Sequence, residues 1–308
     1  MSTFIQPAVI AIVAPSGYAA DPVAYAHAVV RLREQGHTVH DTTRDADKHQ
    51  RFGATDAARL AQLHAAARDP TVQIVMALRG GYGLSRLLPA IDFDLLANSG
   101  KCFVGHSDFT ALQMGLLAHG SATSFAGPMM CDDFSRADPS GFTHTHFWQC
   151  LSQPSVCIDA KASGNPDVDA EGLLWGGNLS MLVHLIGTPW MPKIAGGILF
   201  LEDINEHPYR VERMLLQLLH AGVLGAQKAV LLGDFSGYKL TDYDNGYNFE
   251  AMLHFMRSQL SVPIVQGLQF GHVRDKLTLP VGARATLVSD DQGFRLTASG
   301  YKALRDCA

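Results

Sequence analysis

The sequence predicts an α/β protein, with a doubly wound parallel sheet over residues 1–135 and a smaller α/β domain over 171–308. Three observations carry this. Short apolar runs alternate with helical patterns through the first part, at the spacing of strand–helix–strand units. The first run, "AVIAIVA" (8–14), is apolar throughout, as a strand covered on both faces must be. Residues 136–170 hold many turn formers and little periodicity, and read as the crossing between the two domains.

The elements follow in order. "DPVAYAHAVVRLREQG" (21–36) has a capping Asp21, a proline after it and a glycine at its end, so both ends of a helix are marked. "HTVHD" comes next, then the helical "TDAARLAQLHAAARD" (55–69) and the strand "VQIVMAL" (72–78). "SRLLPAID" reads as a short helical piece, "KCFVG" (101–105) as a strand, "DFTALQMGLLAHG" (108–120) as a helix and "ATSFAG" as a further strand. In the second domain, "GLLWGGNLSMLVHLIGTP" (172–189) leads to the apolar strand "GGILFLED" (196–203). The helix "PYRVERMLLQLLHAG" (208–222) places Val211, Met214, Leu215, Leu218 and Leu219 on one stripe. "KAVLLGDF" is another strand and "NFEAMLHFMRSQL" another helix; the tail, "PIVQGL", "KLTLPVGARATLV" and "GFRLTAS", reads as strands.

Composition narrows the function. A net charge of -5 with no arginine-rich run argues against a nucleic-acid partner. The five cysteines, at 102, 131, 150, 157 and 307, form no C-x-x-C pair and are odd in number, which fits a reducing compartment. The apolar run in "MSTFIQPAVIAIVAPSG" is too short to span a bilayer and lacks a basic flank, so neither a membrane anchor nor a signal peptide is expected. A cytoplasmic protein is the expectation.

Ligands of open parallel sheets bind beyond the carboxyl ends of the strands, and two unusual segments of the first domain fall there. "ALRGGYG" (77–83) carries Gly80, Gly81 and Gly83 but matches neither nucleotide-binding glycine pattern. It reads as a backbone N–H donor site with Gly81 the candidate donor, or as a plain glycine-rich loop. "FVGHSDFT" has the outline of a nucleophile elbow: a strand, a tight turn and a helix, with Ser107 at the turn. The elbow would expose the Ser107 hydroxyl at a helix N-terminus, and the Asp108 N–H would join that of the glycine loop in holding an oxyanion. The second glycine of G-x-S-x-G is missing, because Phe109 stands there, and Ser107 also suits a helix cap. His106 is too close in sequence to serve as its base.

A serine nucleophile needs a base and an orienting acid. Glu202 ends an apolar strand, where a carboxylate is partly buried and needs a partner. His272 follows a glycine between two apolar strands; alone, either residue suits a structural role as well. "HTH" (144–146) has no further ligands at metal spacing, so neither a metal nor another cofactor is expected.

Together, "RGGYG", "FVGHSDFTAL", "GGNLSML", "LFLEDINEHPYRVERML" and "FGHVRDKLTLPVG" resemble the LD-carboxypeptidase family, the murein tetrapeptide carboxypeptidases, across both domains and in the family's order. The resemblance implies an N-terminal domain like the class I glutamine amidotransferase fold and a C-terminal α/β domain of swivelling type. It implies Ser107 as nucleophile, His272 as general base and Glu202 as its orienter, with the N–H groups of Gly81 and Asp108 as the oxyanion hole. The implied reaction releases the terminal D-alanine of a murein tetrapeptide in cell-wall recycling. Arg79, Asn178 and Arg210, inside or beside these motifs, are candidate substrate contacts. The murein peptide is the expected partner and a homodimer the expected assembly. A related branch hydrolyses microcin-type adenylates with the same triad, and a non-enzymatic peptide-binding protein is the alternative of a different kind.

Overall fold

The computed structural model describes residues 7–304. Cys307 and the first six residues of the apolar N-terminal segment lie outside the described residues. The chain runs β1 (Val9–Val13), α1 (Pro22–Glu34), β2 (Thr38–Asp41), α2 (Asp56–Arg68), β3 (Ile74–Ala77), α3 (Leu84–Leu87), α4 (Phe93–Asn98), β4 (Cys102–Gly105), α5 (Thr110–Gly120) and β5 (Ser124–Ala126). It continues through α6 (Gly141–Ser152), β6 (Ser155–Lys161), β7 (Val168–Asn178), α7 (Leu179–Leu185), β8 (Ile198–Glu202), α8 (Pro208–His220), β9 (Ala229–Leu232) and α9 (Phe249–Gln259). Four strands close it: β10 (Ile264–Gln266), β11 (Leu279–Val281), β12 (Arg284–Asp290) and β13 (Gly293–Ser299).

Two sheets form. The first has the order β11-β5-β4-β3-β1-β2, and its five N-terminal strands are all parallel. β1, β3 and β4 bury nearly every side chain, as strands covered on both faces do. The second has the order β10-β9-β8-β7-β12-β13-β6, parallel from β7 to β10 and antiparallel from β7 through β12 and β13 to β6. The strand order confirms the α/β class with its doubly wound first sheet, and both sheets are mixed.

Local chemistry accounts for the marked ends. Asp21 accepts from the N–H groups of Val23 and Ala24, at 3.0 and 2.9 Å, and Pro22 opens α1. In α8, Val211, Leu215 and Leu218 are buried, and Met214 and Leu219 are half-buried beside them. In α5 every residue from Thr110 to Leu116 is buried, because the helix lies between the sheets and touches β5, β7 and α7. The residue that starts this turn, Ser107, is thereby held where the two sheets meet.

Two stretches differ from the sequence reading. The run "KLTLPVGARATLV" is two strands in two sheets: β11 pairs antiparallel with β5, and β12 pairs with β7 and β13. Gly282, at φ +90°, makes the break, and Pro280 is tolerated because β11 is an edge strand. Within 136–170, the expected crossing, the chain forms α6 and the edge strand β6. The helical stripe of α6 is Thr143, Phe147, Trp148, Cys150 and Leu151, masked in the sequence by interleaved histidine and threonine.

Candidate active site

Ser107 is built into a turn that few residues tolerate. β4 ends at Gly105, His106 is extended, and Ser107 takes a left-handed φ of +62° before the helical residues that lead into α5. For a residue with a β-carbon that conformation costs on the order of 1–2 kcal/mol. Strain of this kind persists where the surroundings over-determine it. Here they do: Phe109 N–H donates to the His106 carbonyl, and His106 Nδ1–H donates to the Gly127 carbonyl at 2.9 Å. Ser107 is half-buried and its flanking residues are buried, so the turn presents one hydroxyl to the open side.

The glycine loop after β3 meets this turn. A β-carbon on Gly80 would lie 2.9 Å from Ser107 Cβ and 3.0 Å from its Oγ, so only glycine allows the approach. Gly81, exposed, has open space on its β-carbon side, and its N–H donates to no group among the described residues. The Asp108 side chain ties the two loops together. Its buried carboxylate accepts from Ser16 Oγ at 2.6 Å and from the Leu84 N–H at 2.9 Å. Burial raises the Asp108 pKa, and the bonds from Ser16 and Leu84 and the charge of Arg59 pull against that rise.

The second sheet supplies the acid, and the loop from its β10 to β11 of the first sheet supplies the histidine. Glu202 is the last residue of β8 and fully buried. Its Oε2 accepts from His272 Nδ1 at 2.8 Å, and its Oε1 from Asn178 Nδ2 at 3.2 Å. A proton on Nδ1 leaves His272 Nε2 as a free acceptor. Burial lowers the His272 pKa, but the hydrogen bond and charge of Glu202 outweigh it and leave the value raised above 6.5. The His272 and His106 rings meet edge to face, centroids 5.2 Å apart, which puts His272 beside the serine turn. Burial first, then the charges of Lys276 and His272, hold His106 well below 6.5, so it is neutral. Ser107 Oγ makes no hydrogen bond to His272 among the described residues.

The loop carrying His272 is stapled to the segment before and within α6. Ser140 Oγ donates to Asp275 at 2.5 Å, Thr143 Oγ1 donates to the Arg274 carbonyl at 2.9 Å, and the Lys276 N–H donates to Thr143 Oγ1 at 2.9 Å. Lys276 and Asp133 form a buried ion pair at 2.8 Å.

Asn178 was a candidate substrate contact, but its side chain turns inward. Nδ2 bonds Glu202 and, at 3.0 Å, Asp203, and Oδ1 caps α7 by accepting from the Met181 N–H. Its own N–H donates to Thr110 Oγ1 at 3.1 Å, joining β7 to α5 next to Glu202. Arg210, at the exposed start of α8, has polar contacts with Glu206 and Tyr209. Arg79 is half-buried, with no hydrogen bond or ion pair among the described residues. Sequence reasoning names Gly80 in the glycine loop but not its approach to Ser107, and it misses the Asp108 carboxylate and the Lys276–Asp133 pair. No group of three or more histidine, cysteine or acidic residues that could hold a metal occurs among the described residues.

A serine at a strained elbow, with a buried glutamate on a second sheet bonded to a half-buried histidine between the sheets, defines a serine hydrolase built across two α/β sheets. Models of the LD-carboxypeptidase N-terminal and C-terminal domains match residues 10–127 and 171–287. The chain is 31% identical over 270 residues to a probable murein peptide carboxypeptidase of Bacillus subtilis, covering 87% of this chain and 85% of that one. The solved muramoyltetrapeptide carboxypeptidase of Oxalobacter formigenes superposes with a TM-score of 0.92 at 54% identity, covering 96% of this chain and 100% of that one. The microcin C7 self-immunity protein of Escherichia coli is 26% identical over 264 residues, covering 74% and 75%. The chain belongs to the LD-carboxypeptidase family.

Proposed function

We propose that this serine carboxypeptidase hydrolyses the amide between the L-centre of the third residue of a murein tetrapeptide and its terminal D-alanine. The observation that carries the reading is the bond of half-buried His272 to buried Glu202, 2.8 Å long, set beside the strained turn of Ser107. Its chemistry is acyl transfer. His272 Nε2 takes the hydroxyl proton as Ser107 Oγ attacks the carbonyl carbon. Glu202 holds the imidazole and offsets the charge of the imidazolium. The N–H groups of Gly81 and Asp108 stabilise the oxyanion. His272 returns its proton to the departing amine of D-alanine, then activates the water that frees Ser107 and the tripeptide. His272 must close on Ser107 for the first transfer, a tightening expected when substrate binds.

Asn178 serves this reading by orienting Glu202, and Arg210 is a candidate contact for the outer, polar part of the peptide. The relatives named for murein peptides support the substrate class. The likeness to the microcin self-immunity protein supports a second reading, hydrolysis of a peptidyl or aminoacyl adenylate by the same three residues. We place the enzyme in the cytoplasm, recycling wall fragments as a homodimer. The four cysteines of the described residues are free thiols, in keeping with a reducing compartment. No helix of the described residues is long and apolar enough to cross a membrane.

The test is a hydrolysis panel of tetrapeptide, disaccharide tetrapeptide, pentapeptide and a peptidyl adenylate, with products identified by mass. Release of D-alanine from the tetrapeptides supports the proposal. Cleavage of the adenylate alone supports the second reading. Binding with no turnover of any member returns the chain to a peptide-binding role.

A further inference from the structure

We infer that Arg79 is the counter-ion for the free carboxylate of the residue to be released, the feature that makes this site a carboxypeptidase. The inference rests on the tetrapeptide reading above and assigns the part of the substrate that leaves. Among the described residues, four arginines are buried or half-buried: Arg31, Arg59, Arg79 and Arg257. Arg31 donates to the Phe134 and Arg136 carbonyls. Arg59 donates to the Pro15 carbonyl and pairs with Asp56. Arg257 donates to the Gly164 and Ile264 carbonyls. Nε is buried without a partner in Arg59, Arg79 and Arg257 alike, but Arg79 alone of the four donates to no other described residue. Its terminal nitrogens keep access to water and have no protein partner, so they are free to receive an anion, and a substrate closing over this half-buried guanidinium without one would leave it at a cost.

Its position fits the leaving group. Arg79 is bonded to Gly80, whose β-carbon position lies 2.9 Å from Ser107 Cβ, and Gly81 with its open N–H comes next. One short loop thus carries a candidate oxyanion donor and an unpaired cation, with Gly80 between them packed against the serine. The Arg79 stem rests on Gly17, where a β-carbon would come within 3.1 Å of its Cδ. Other cations linked to this region are engaged: Lys276 with Asp133, Arg274 with Asp138, Arg210 with Glu206. A guanidinium grips a carboxylate through two parallel hydrogen bonds, so it distinguishes a free C-terminus from an amide.

The experiment measures kcat/KM on L-Ala-γ-D-Glu-L-Lys-D-Ala and on its D-alaninamide, using the full chain and its Arg79→Met and Arg79→Lys variants. The unsubstituted protein should prefer the acid. Arg79→Met should lose on the order of 10- to 100-fold on the acid, the worth of a hydrogen bond to a charged group, and far less on the amide. Arg79→Lys should keep part of the preference. A variant that loses equally on both peptides, or on neither, overturns the inference. A peptide carrying a second carboxylate on its third side chain separates the sources of the anion. If Arg79→Met hurts that peptide's amide as much as its acid, the arginine reads the side chain and the inference fails. If the unsubstituted protein cleaves neither peptide, the tetrapeptide reading itself fails. Calorimetric binding of acid and amide then decides: equal affinities overturn the anion site.

Discussion

Replacing Glu202 with glutamine should change both the size and the pH dependence of catalysis, in directions set by what surrounds His272. In the native protein, burial lowers the His272 pKa, and the Glu202 hydrogen bond and charge raise it by more, to a net value above 6.5. In Glu202→Gln the charge is gone while burial and the cationic Lys276 remain, so the value should fall below 6.5. The base must be neutral to accept the serine proton. The acid limb of kcat/KM should therefore sit above pH 6.5 in the native enzyme and below it in the variant. The rate should drop by about 10⁴-fold, as when the acid of a comparable triad is removed, or about 5 kcal/mol of barrier. A fully buried acid at 2.8 Å from Nδ1 has no water to replace it, so no smaller loss is expected. Stability should change sign with the same charge. A histidine with a raised folded pKa contributes stability below its unfolded value, about 6.5, and loses that contribution as pH rises through the folded value. With a lowered folded pKa the variant should instead lose stability as pH falls below about 6.5. The assays are kcat/KM from pH 5 to 9 and urea unfolding over the same range. An acid limb that stays put or moves upward in Glu202→Gln would refute the assignment of Glu202 as the partner that sets the base.

Gly80→Ala should lower kcat steeply while the fold survives, because its methyl would press against Ser107 Cβ and Oγ; circular dichroism with single-turnover kinetics checks it. Asp108→Ala should cost about 1–3 kcal/mol of stability, since Ser16 Oγ and the Leu84 N–H lose their buried acceptor. It should also reduce kcat more than KM by loosening the loop that carries Gly81, as thermal melts and steady-state kinetics would report. Lys276→Met should cost about 3–5 kcal/mol by stranding the Asp133 carboxylate, and Lys276→Met/Asp133→Leu should recover much of it in denaturant titration. Ser107→Ala and His272→Ala should each abolish turnover, and the double variant should be little worse than either; multiplicative losses would break the triad.

What the sequence made legible is local. The caps of α1, the stripe of α8 and the unbroken apolar runs of β1 and β3 each depend on neighbours a few residues away. So does the turn of Ser107, announced by a glycine before it and a helix after it. Polar groups just past the ends of apolar strands mark some of the candidates, whereas the choice of Glu202 over Asp203 or Glu206 and the grouping of the three residues rest on the family motifs. Ser107 and Glu202 both stand at such strand ends, those of β4 and β8. The break at Gly282 was hidden because β11 and β12 carry the same kind of residues and differ only in which sheet receives them.

What stayed hidden depends on register and on distant pairing. Asn178 stands opposite Glu202 because β7 and β8 run parallel in one particular register. A shift of one residue would turn its amide to the other face, away from Glu202. Asp108 and Lys276 look like surface charges in sequence, and each is buried only because a partner far along the chain meets it: Ser16 for one, Asp133 for the other. These hidden contacts share a purpose. The Asp108 carboxylate fixes the glycine loop to the serine turn, Asn178 joins the serine helix to the acid, and Lys276 fixes the histidine loop to the N-terminal half of the chain. Ser107 follows a strand of the first sheet and Glu202 ends one of the second, with His272 on the loop between them. Acyl transfer by the proposed triad would therefore depend on how firmly the halves are tied, and the ties are buried polar groups whose loss should cost stability and rate together.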